Sequence, residues 1–246
     1  MTVNVPGRRG PQGPSPLEGE RIRPLSRWQI EDRLEELGDL YAETSGGDPR
    51  AWNQDRELFL RRLAGELHRP GFALLVAERS VIEEPAGAGG PTGSGHTGSL
   101  HTGSGHTSYG DTGSGDTSRL AGCAYGFPVR ARGPWWRGLD GYLPQDLLRL
   151  AASGRLFAVS GLVVHSRVRN QNQGRDWNLA RRLQRRLLAD HAAGLAGHPA
   201  VLGVTLVERD DHLTLRALRA WGWRSATADT PDPPRSAPCR ALIIGP

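Results

Sequence analysis

The chain contains no lysine, so all 31 of its basic residues are arginine. A GC-rich coding sequence accounts for this bias without selection for guanidinium chemistry. The physical effect stands regardless, because every cation is a planar, permanently charged fork suited to phosphate and carboxylate. Cysteine is almost absent too: Cys123 and Cys239 lie in apolar, strand-like contexts. They form no disulfide framework and no metal-ligand set, which suits a reducing compartment. No apolar run reaches membrane length, and the stretch MTVNVPGRRGPQGPSPLEG has basic residues without the apolar centre of a signal peptide. These absences predict a soluble, cytoplasmic protein with no membrane segment.

Hydrophobic residues are also few, at 37%, while glycine (33) and proline (18) are abundant, so part of the 246-residue chain is expected to be loop. Residues 1 to about 20 read as a flexible lead. Between Glu83 and Ser118 the composition changes, and TGSG begins at Thr92, Thr102 and Thr112 with no apolar residue recurring at that ten-residue spacing to stack one repeat on the next. Residues 84–118 therefore read as a low-complexity insert at the tip of a hairpin. His96, His101 and His106 recur within it, but the entropy of ordering such a linker weighs against a metal site, and no metal is expected.

The remainder, residues 21–245, reads as a single mixed α/β domain. RIRPLS suits a short strand, and RWQIEDRLEELGDLYAET and NQDRELFLRRLAGELHRPG carry helical spacing up to a Pro-Gly stop. Residues 72–78 and 119–127 read as the two sides of the hairpin, GPWWRGLDGYLPQDLLRLAASG as a connection, and RLFAVSGLVVH as the next strand. After it come a helix, the strand VLGVTLVE, the helix DHLTLRALRAW, a short strand and the last strand CRALIIG. The expected fold is a mixed, mostly antiparallel sheet flanked by helices.

The most informative stretch is RVRNQNQGRDWNLARRLQRRLLAD, from Arg167 to Asp190. Leu179, Leu183 and Leu187, with Ala180 and Leu188 beside them, make its second half an amphipathic helix; its first half is a polar loop after a strand. Free N–H groups and the positive dipole end make such a helix start a place for phosphate. With the element order and the segments GFALLVAE, RLAGCAYGF and WW, this stretch resembles the GNAT superfamily of N-acetyltransferases, in its actinobacterial form. The resemblance implies a strand, an Arg/Gln-x-x-Gly-x-Gly/Ala loop and a helix whose main-chain amides hold the pyrophosphate of acetyl-CoA.

Two registers fit that motif. Arg169 to Gly174 has the right distance from the strand end at Val164, and Arg175 to Ala180 has the better helix phase and is preferred. The implied cofactor-binding set is Leu162, Val164, Arg169, Gly174, Arg175, Asp176, Trp177, Asn178, Leu179 and Ala180. Asn or Asp replaces some of the motif's glycines. Near the end Asp211 stands as a helix cap and Gly222-Trp223 for the family's Gly-Phe. Leu218 occupies the place of the tyrosine that usually protonates the departing thiolate. Gly161 occupies the place where a catalytic glutamate is sought, so the catalytic residues remain unassigned, with His165 the one candidate. Trp135 and Trp136 are candidates for the acceptor pocket, set against the alternative that they cover the core. Asp140 and Asp146 suit a cationic amine or simply face water.

The resemblance implies an enzyme that transfers an acetyl group from acetyl-CoA, as co-substrate, to an amine. A second reading is a protein of that fold that binds acyl-CoA or a partner with little or no catalysis. A third is a nucleic-acid module using Arg175, Arg181, Arg182, Arg185 and Arg186; the leucine stripe on the same helix and the lack of aromatic platforms beyond Trp177 weigh against it. The acceptor and the oligomeric state are not encoded in any recognisable motif.

Overall fold

The computed structural model describes residues 20–45, 52–80, 118–130, 143–169, 178–197, 199–226 and 239–245. The segments ALLVAERS, SRLAGCAYGFP and LFAVSGLVV are rich in small and branched apolar residues, and they form β2 (Ala73–Ser80), β3 (Ser118–Pro128) and β4 (Leu156–Val164). Such near-continuous apolar runs suit inner strands covered on both faces. With β1 (Glu20–Pro24), β5 (Leu202–Glu208), β6 (Arg224–Ser225) and β7 (Cys239–Ile244) they make a seven-stranded sheet in the order β1-β2-β3-β4-β5-β7-β6. Every neighbouring pair is antiparallel except β4 and β5.

Uninterrupted alternation along β3 places Cys123, Tyr125 and Phe127 on one face. The first two pack with Ile30, Leu37, Phe59 and Leu63 from α1 (Arg27–Asp32), α2 (Leu34–Ser45) and α3 (Trp52–Glu66). Phe127 packs with Leu147 and Ala151 of α4 (Gln145–Ala152), so both helix groups cover the same side of the sheet. The opposite side holds α6 (Leu179–Ala193) and α7 (His212–Ala220), whose Leu183, Leu187 and Leu215 join Leu75, Ala124 and Phe157 in the third cluster. The short α5 (Ser166–Arg169) follows β4 directly. No helix among the described residues is long and apolar enough to cross a membrane.

The mixed α/β architecture and mostly antiparallel sheet are as the sequence predicts, with two local differences. RWQIEDRLEELGDLYAET is not one helix: α1 closes with Arg33 N–H donating to the Ile30 carbonyl (3.1 Å), and α2 begins at Leu34. The Arg33 side chain bonds Glu36 of α2 and joins Arg23 on Glu78 of β2. The connection before β4 contains α4, two turns capped by Pro144 and buried through Leu147 and Ala151. Its apolar stripe is too short to stand out against the surrounding Gly and Pro. Cys123, buried, and Cys239 are free thiols, and burial pushes Cys123 up to about 12.

Arg23 donates twice to Glu78, Nε at 2.8 Å and Nη2 at 2.7 Å, and these bonds, ahead of those from Arg33, hold the Glu78 carboxyl down at about 2. A depressed folded pKa means the stabilisation is full above the ordinary value of 4.5 and is lost as pH falls toward about 2. Glu78→Gln should cost about 2–3 kcal/mol at neutral pH. In urea titrations its deficit should shrink as pH drops through that window. The hairpin yields a second prediction: Ser80 and Ser118 are Cα partners at the ends of β2 and β3, so a turn can close the ladder. Replacing residues 84–116 by a short turn should leave unfolding free energy within about 1 kcal/mol; a calorimetric melt shows a larger loss if the segment packs.

Candidate functional site

β4 and β5 pair through Leu156–Leu202, Phe157–Gly203 and Ala158–Val204, and then part. β4 continues to Val164 and β5 to Glu208, the latter still paired with β7 as far as Glu208–Cys239. The separation begins where β4 carries an irregularity against β3: Gly126 opposes Val159 and Tyr125 opposes Gly161, leaving Ser160 as an extra residue. A bulge of this kind bends its strand, increases its twist and leaves main-chain groups outside the ladder. Ser160, Gly161 and Leu162 are accordingly half-buried in the middle of a strand that is otherwise buried. The result is a slot between the two strands in the sense that the ladder is open beyond Ala158 and Val204.

Gly161 is required by close approach. A Cβ there would stand 2.1 Å from Tyr125 Cε1. The Tyr125 ring is itself held by Phe59 (6.1 Å between centroids) and Phe72 (6.0 Å). No side chain, and so no glutamate, fits at 161 while that ring is in place.

A carboxylate nevertheless sits beside the bulge. Glu66, the last residue of α3, is 9% exposed, and its Oε2 is buried with no hydrogen-bond partner. Its Oε1 faces Arg62 Nε at 3.8 Å, and Arg62 Nη2 donates to the Ser160 carbonyl at 3.1 Å. Burial pushes the Glu66 carboxyl up, and contacts with Ser160, Arg62 and Arg69 draw it part of the way back. No sequence motif marks Glu66. The signal available was a Glu at the end of a helical pattern, four residues after an Arg, which reads as an ordinary surface pair.

On the other side of the sheet the first turn of α6 lies over the C-terminal half of β4. Leu179 and Leu183 occupy the space that a side chain at Gly122 would need, against the Val163 carbonyl, whereas Leu188 reaches Gly203 near the start of β5. Asn178 caps this helix. Its buried side chain accepts from Ala180 N–H (3.1 Å) and Arg181 N–H (3.4 Å). The far side of α6 is fixed by Gln184, which donates to the Trp221 carbonyl and accepts from Trp223 Nε1, both at 2.9 Å. Gly222 turns the chain after α7 with φ of 99°, a conformation that favours glycine, and this is what the Gly-Trp pair provides.

Of the residues singled out in the sequence, Leu162 packs against the α6 cluster, and Val164, Leu179 and Ala180 are buried in it, so their side chains build core and only their main chain can serve a ligand. Arg169 donates to the Thr44 carbonyl at 2.7 Å, fastening α5 to the end of α2. His165 Nε2 lies 3.0 Å from Glu43 Oε2 of α2, and its N–H donates to the Ala121 carbonyl. Strand geometry sets it about 16 Å along from Ser160. Leu218 is buried beside Leu215 and Trp221 and presents an apolar side chain to the core. Asp146 pairs with Arg149 at the surface. Trp135, Trp136, Asp140, Gly174, Arg175, Asp176, Trp177 and the three repeat histidines lie outside the described residues.

No protein-family model matches the sequence, and no curated protein matches it. Solved structures similar to this chain include the PaiA N-acetyltransferase of Thermoplasma acidophilum in complex with coenzyme A, with 10% identity and a TM-score of 0.45 over 92% of this chain and 99% of that one. NAA60 of Arabidopsis thaliana in complex with a bisubstrate analogue shows 12% identity and a TM-score of 0.47 over 92% and 99%. An acetyltransferase of Thermus thermophilus shows 11% identity and a TM-score of 0.43 over 93% and 97%. At this level of likeness a functional reading rests on the residues themselves.

The Tyr125–Gly161 contact is testable. Gly161→Ala should lose about 1–3 kcal/mol by overpacking, and combining it with Tyr125→Leu should cost less than the sum of the two single changes. Urea denaturation of the four proteins measures that coupling; strictly additive losses would mean that the ring does not dictate the glycine.

Proposed function

We propose that the chain is an N-acetyltransferase of GNAT type, in which residues 21–245 form one domain that binds acetyl-CoA in the slot between β4 and β5 and passes its acetyl group to an amine. The observation that carries this reading is the parting of the parallel pair immediately after Ala158 and Val204, at the bulge. A pantetheine arm is itself an amide chain, and it can take the strand-like place vacated between the two backbones. Main-chain N–H groups of β4 around Ser160 then polarise the thioester carbonyl, donors that are already oriented before the reaction begins.

The pyrophosphate falls to the α6 end of the slot. Asn178 already occupies the Ala180 and Arg181 amides at the start of α6, and the pyrophosphate is assigned to this helix start together with the sequence positions Gly174, Arg175, Asp176 and Trp177. Leu162 and Val164 contribute through the main chain. Trp135 and Trp136 are assigned to the acceptor side. A thiolate is a moderately good leaving group, its acid having a pKa near about 8.5, so the apolar Leu218 slows the reaction without forbidding it. His165, paired with Glu43 just beyond the end of β4, is the second protonating group to test.

The arginines of α6 argue against nucleic acid. Arg182 pairs with Glu20, Arg186 Nε lies 2.7 Å from Asp190, and Arg181 Nη2 donates to the Ala220 carbonyl at 3.2 Å. A helix whose cations are directed inward and along itself offers a weak phosphate track.

Calorimetry with acetyl-CoA is the direct test, and inorganic pyrophosphate should compete. Asn178→Pro removes an N–H and the helix cap together and should weaken acetyl-CoA by roughly 1–3 kcal/mol in a folded protein. Binding without thiol release across a panel of amines would leave an acyl-CoA-binding protein; no binding would end the reading.

A further inference from the structure

We infer that Glu66 is the anchor and proton acceptor for the reacting amine, which enters beside α3 as a primary ammonium ion carrying a single positive charge. The inference rests on the acetyl-transfer reading above. Three observations converge on this carboxylate. It lies next to Ser160, two residues beyond the last β4–β5 pair, where the acetyl-transfer reading puts the thioester carbonyl. It is the last residue of α3, so its main chain is fixed by a helix of fifteen residues, and Arg62 ties it to the bulge through the Ser160 carbonyl. Its Oε2 is buried without a partner, a costly arrangement in a folded protein unless a ligand completes it.

The groups facing Glu66 limit what completes it. Arg62 lies on the same helix, and Arg69, whose guanidinium rests over the Phe127 ring at 4.4 Å, lies in the turn beyond it. Tyr125 comes from β3, its hydroxyl kept protonated chiefly by burial. Arg62 and Arg69 already bring two positive charges against the one negative charge of Glu66, so each further charge on the acceptor adds to an excess, and a monoamine suits the place better than a polyamine. An ammonium N–H donates to Oε2, and the carboxylate then takes that proton, leaving Glu66 neutral and the amine with its lone pair. The amine nitrogen attacks the thioester carbonyl carbon and a C–N bond forms. The C–S bond breaks, the departing sulfur takes up the second proton of the nitrogen, and Glu66 returns the first to water. Amide, free thiol and one proton in solution balance the reaction. Burial raises the Glu66 pKa above the ordinary carboxylate value, which makes the carboxylate a stronger base than an exposed one.

Glu66→Gln keeps the shape and removes the base. The group's raised pKa means that its charged form opposes folding as pH rises through the folded value, so the variant should melt no lower than wild type at pH 8. With n-butylamine as acceptor, its transfer rate should fall roughly 10²-fold or more while acetyl-CoA affinity by calorimetry stays within about twofold. The limb of the wild-type pH–rate profile that rises as Glu66 ionises should be absent in the variant. An independent readout is carboxyl NMR of glutamate-labelled protein. One signal, missing in Glu66→Gln, should titrate above the others, and n-butylammonium chloride should move its midpoint down.

A Glu66 signal indifferent to n-butylammonium, or a variant with wild-type turnover, would overturn the inference. Titration by n-butylammonium without transfer in either protein would overturn the proton-acceptor role. Failure of acetyl-CoA to bind in calorimetry ends the acetyl-transfer reading separately, since the NMR measurement needs no acetyl-CoA.

Discussion

Tyr125 lying over Gly161 is the contact on which the candidate site depends. The ring occupies the volume of any side chain at 161, and the strand carrying that glycine gains an extra residue, Ser160, on the adjoining position. The extra residue bends β4, and β5 does not follow because its other edge is paired with β7 along its whole length. One strand is therefore diverted and its neighbour is held. The slot between them is a consequence of sheet geometry, and it exists without any ligand to open it.

The two sides of the sheet bring different chemistry to this slot. The α6 side supplies a helix start, with its cap already satisfied by Asn178, and anchors it through the buried Gln184 to Trp221 and Trp223. Because Gln184 is fully buried and bonded at both ends, the position of that helix is set independently of what lies at its N-terminus. The α3 side supplies charge. Glu66, Arg62 and Arg69 gather where α3 ends, next to the diverted strand, and the carboxylate retains one oxygen with no bond of its own. The capped start of α6 and the buried carboxylate at the end of α3 are thus separated by the thickness of the sheet.

Arginine is the sole side-chain cation here apart from histidine, and within the described residues much of it serves structure. Arg23 and Arg33 clamp Glu78 and draw α1–α2 onto the β1–β2 edge, Arg56 pairs with Glu35 and Asp39, and Arg169 fastens α5 to α2. On α6 three of the four arginines, Arg181, Arg182 and Arg186, likewise turn to the end of α7, Glu20 and Asp190.

Local patterning determined the elements. The leucines of Leu179–Ala193, the apolar runs of β2 to β5, the Pro-Gly stop after α3, and the Asp211 and Gly222 ends of α7 are all visible as spacing or as turn chemistry, because each depends on neighbours within a few residues. The same reasoning missed α4, whose two turns present too short a stripe, and it joined α1 to α2, since the single-residue break at Arg33 has no Gly or Pro to mark it. The site lay further still from local reading. A bulge is a relation between two strands, and Gly161 reads as a missing glutamate until Tyr125 is seen to fill its place. Glu66 reads as half of a helical surface pair until the fold carries it to Ser160 and buries it. Residue identity and periodicity decided which segments became strands and helices. Which strand parted from which, and which carboxylate lost its water, were decided only when segments distant in the chain were packed together.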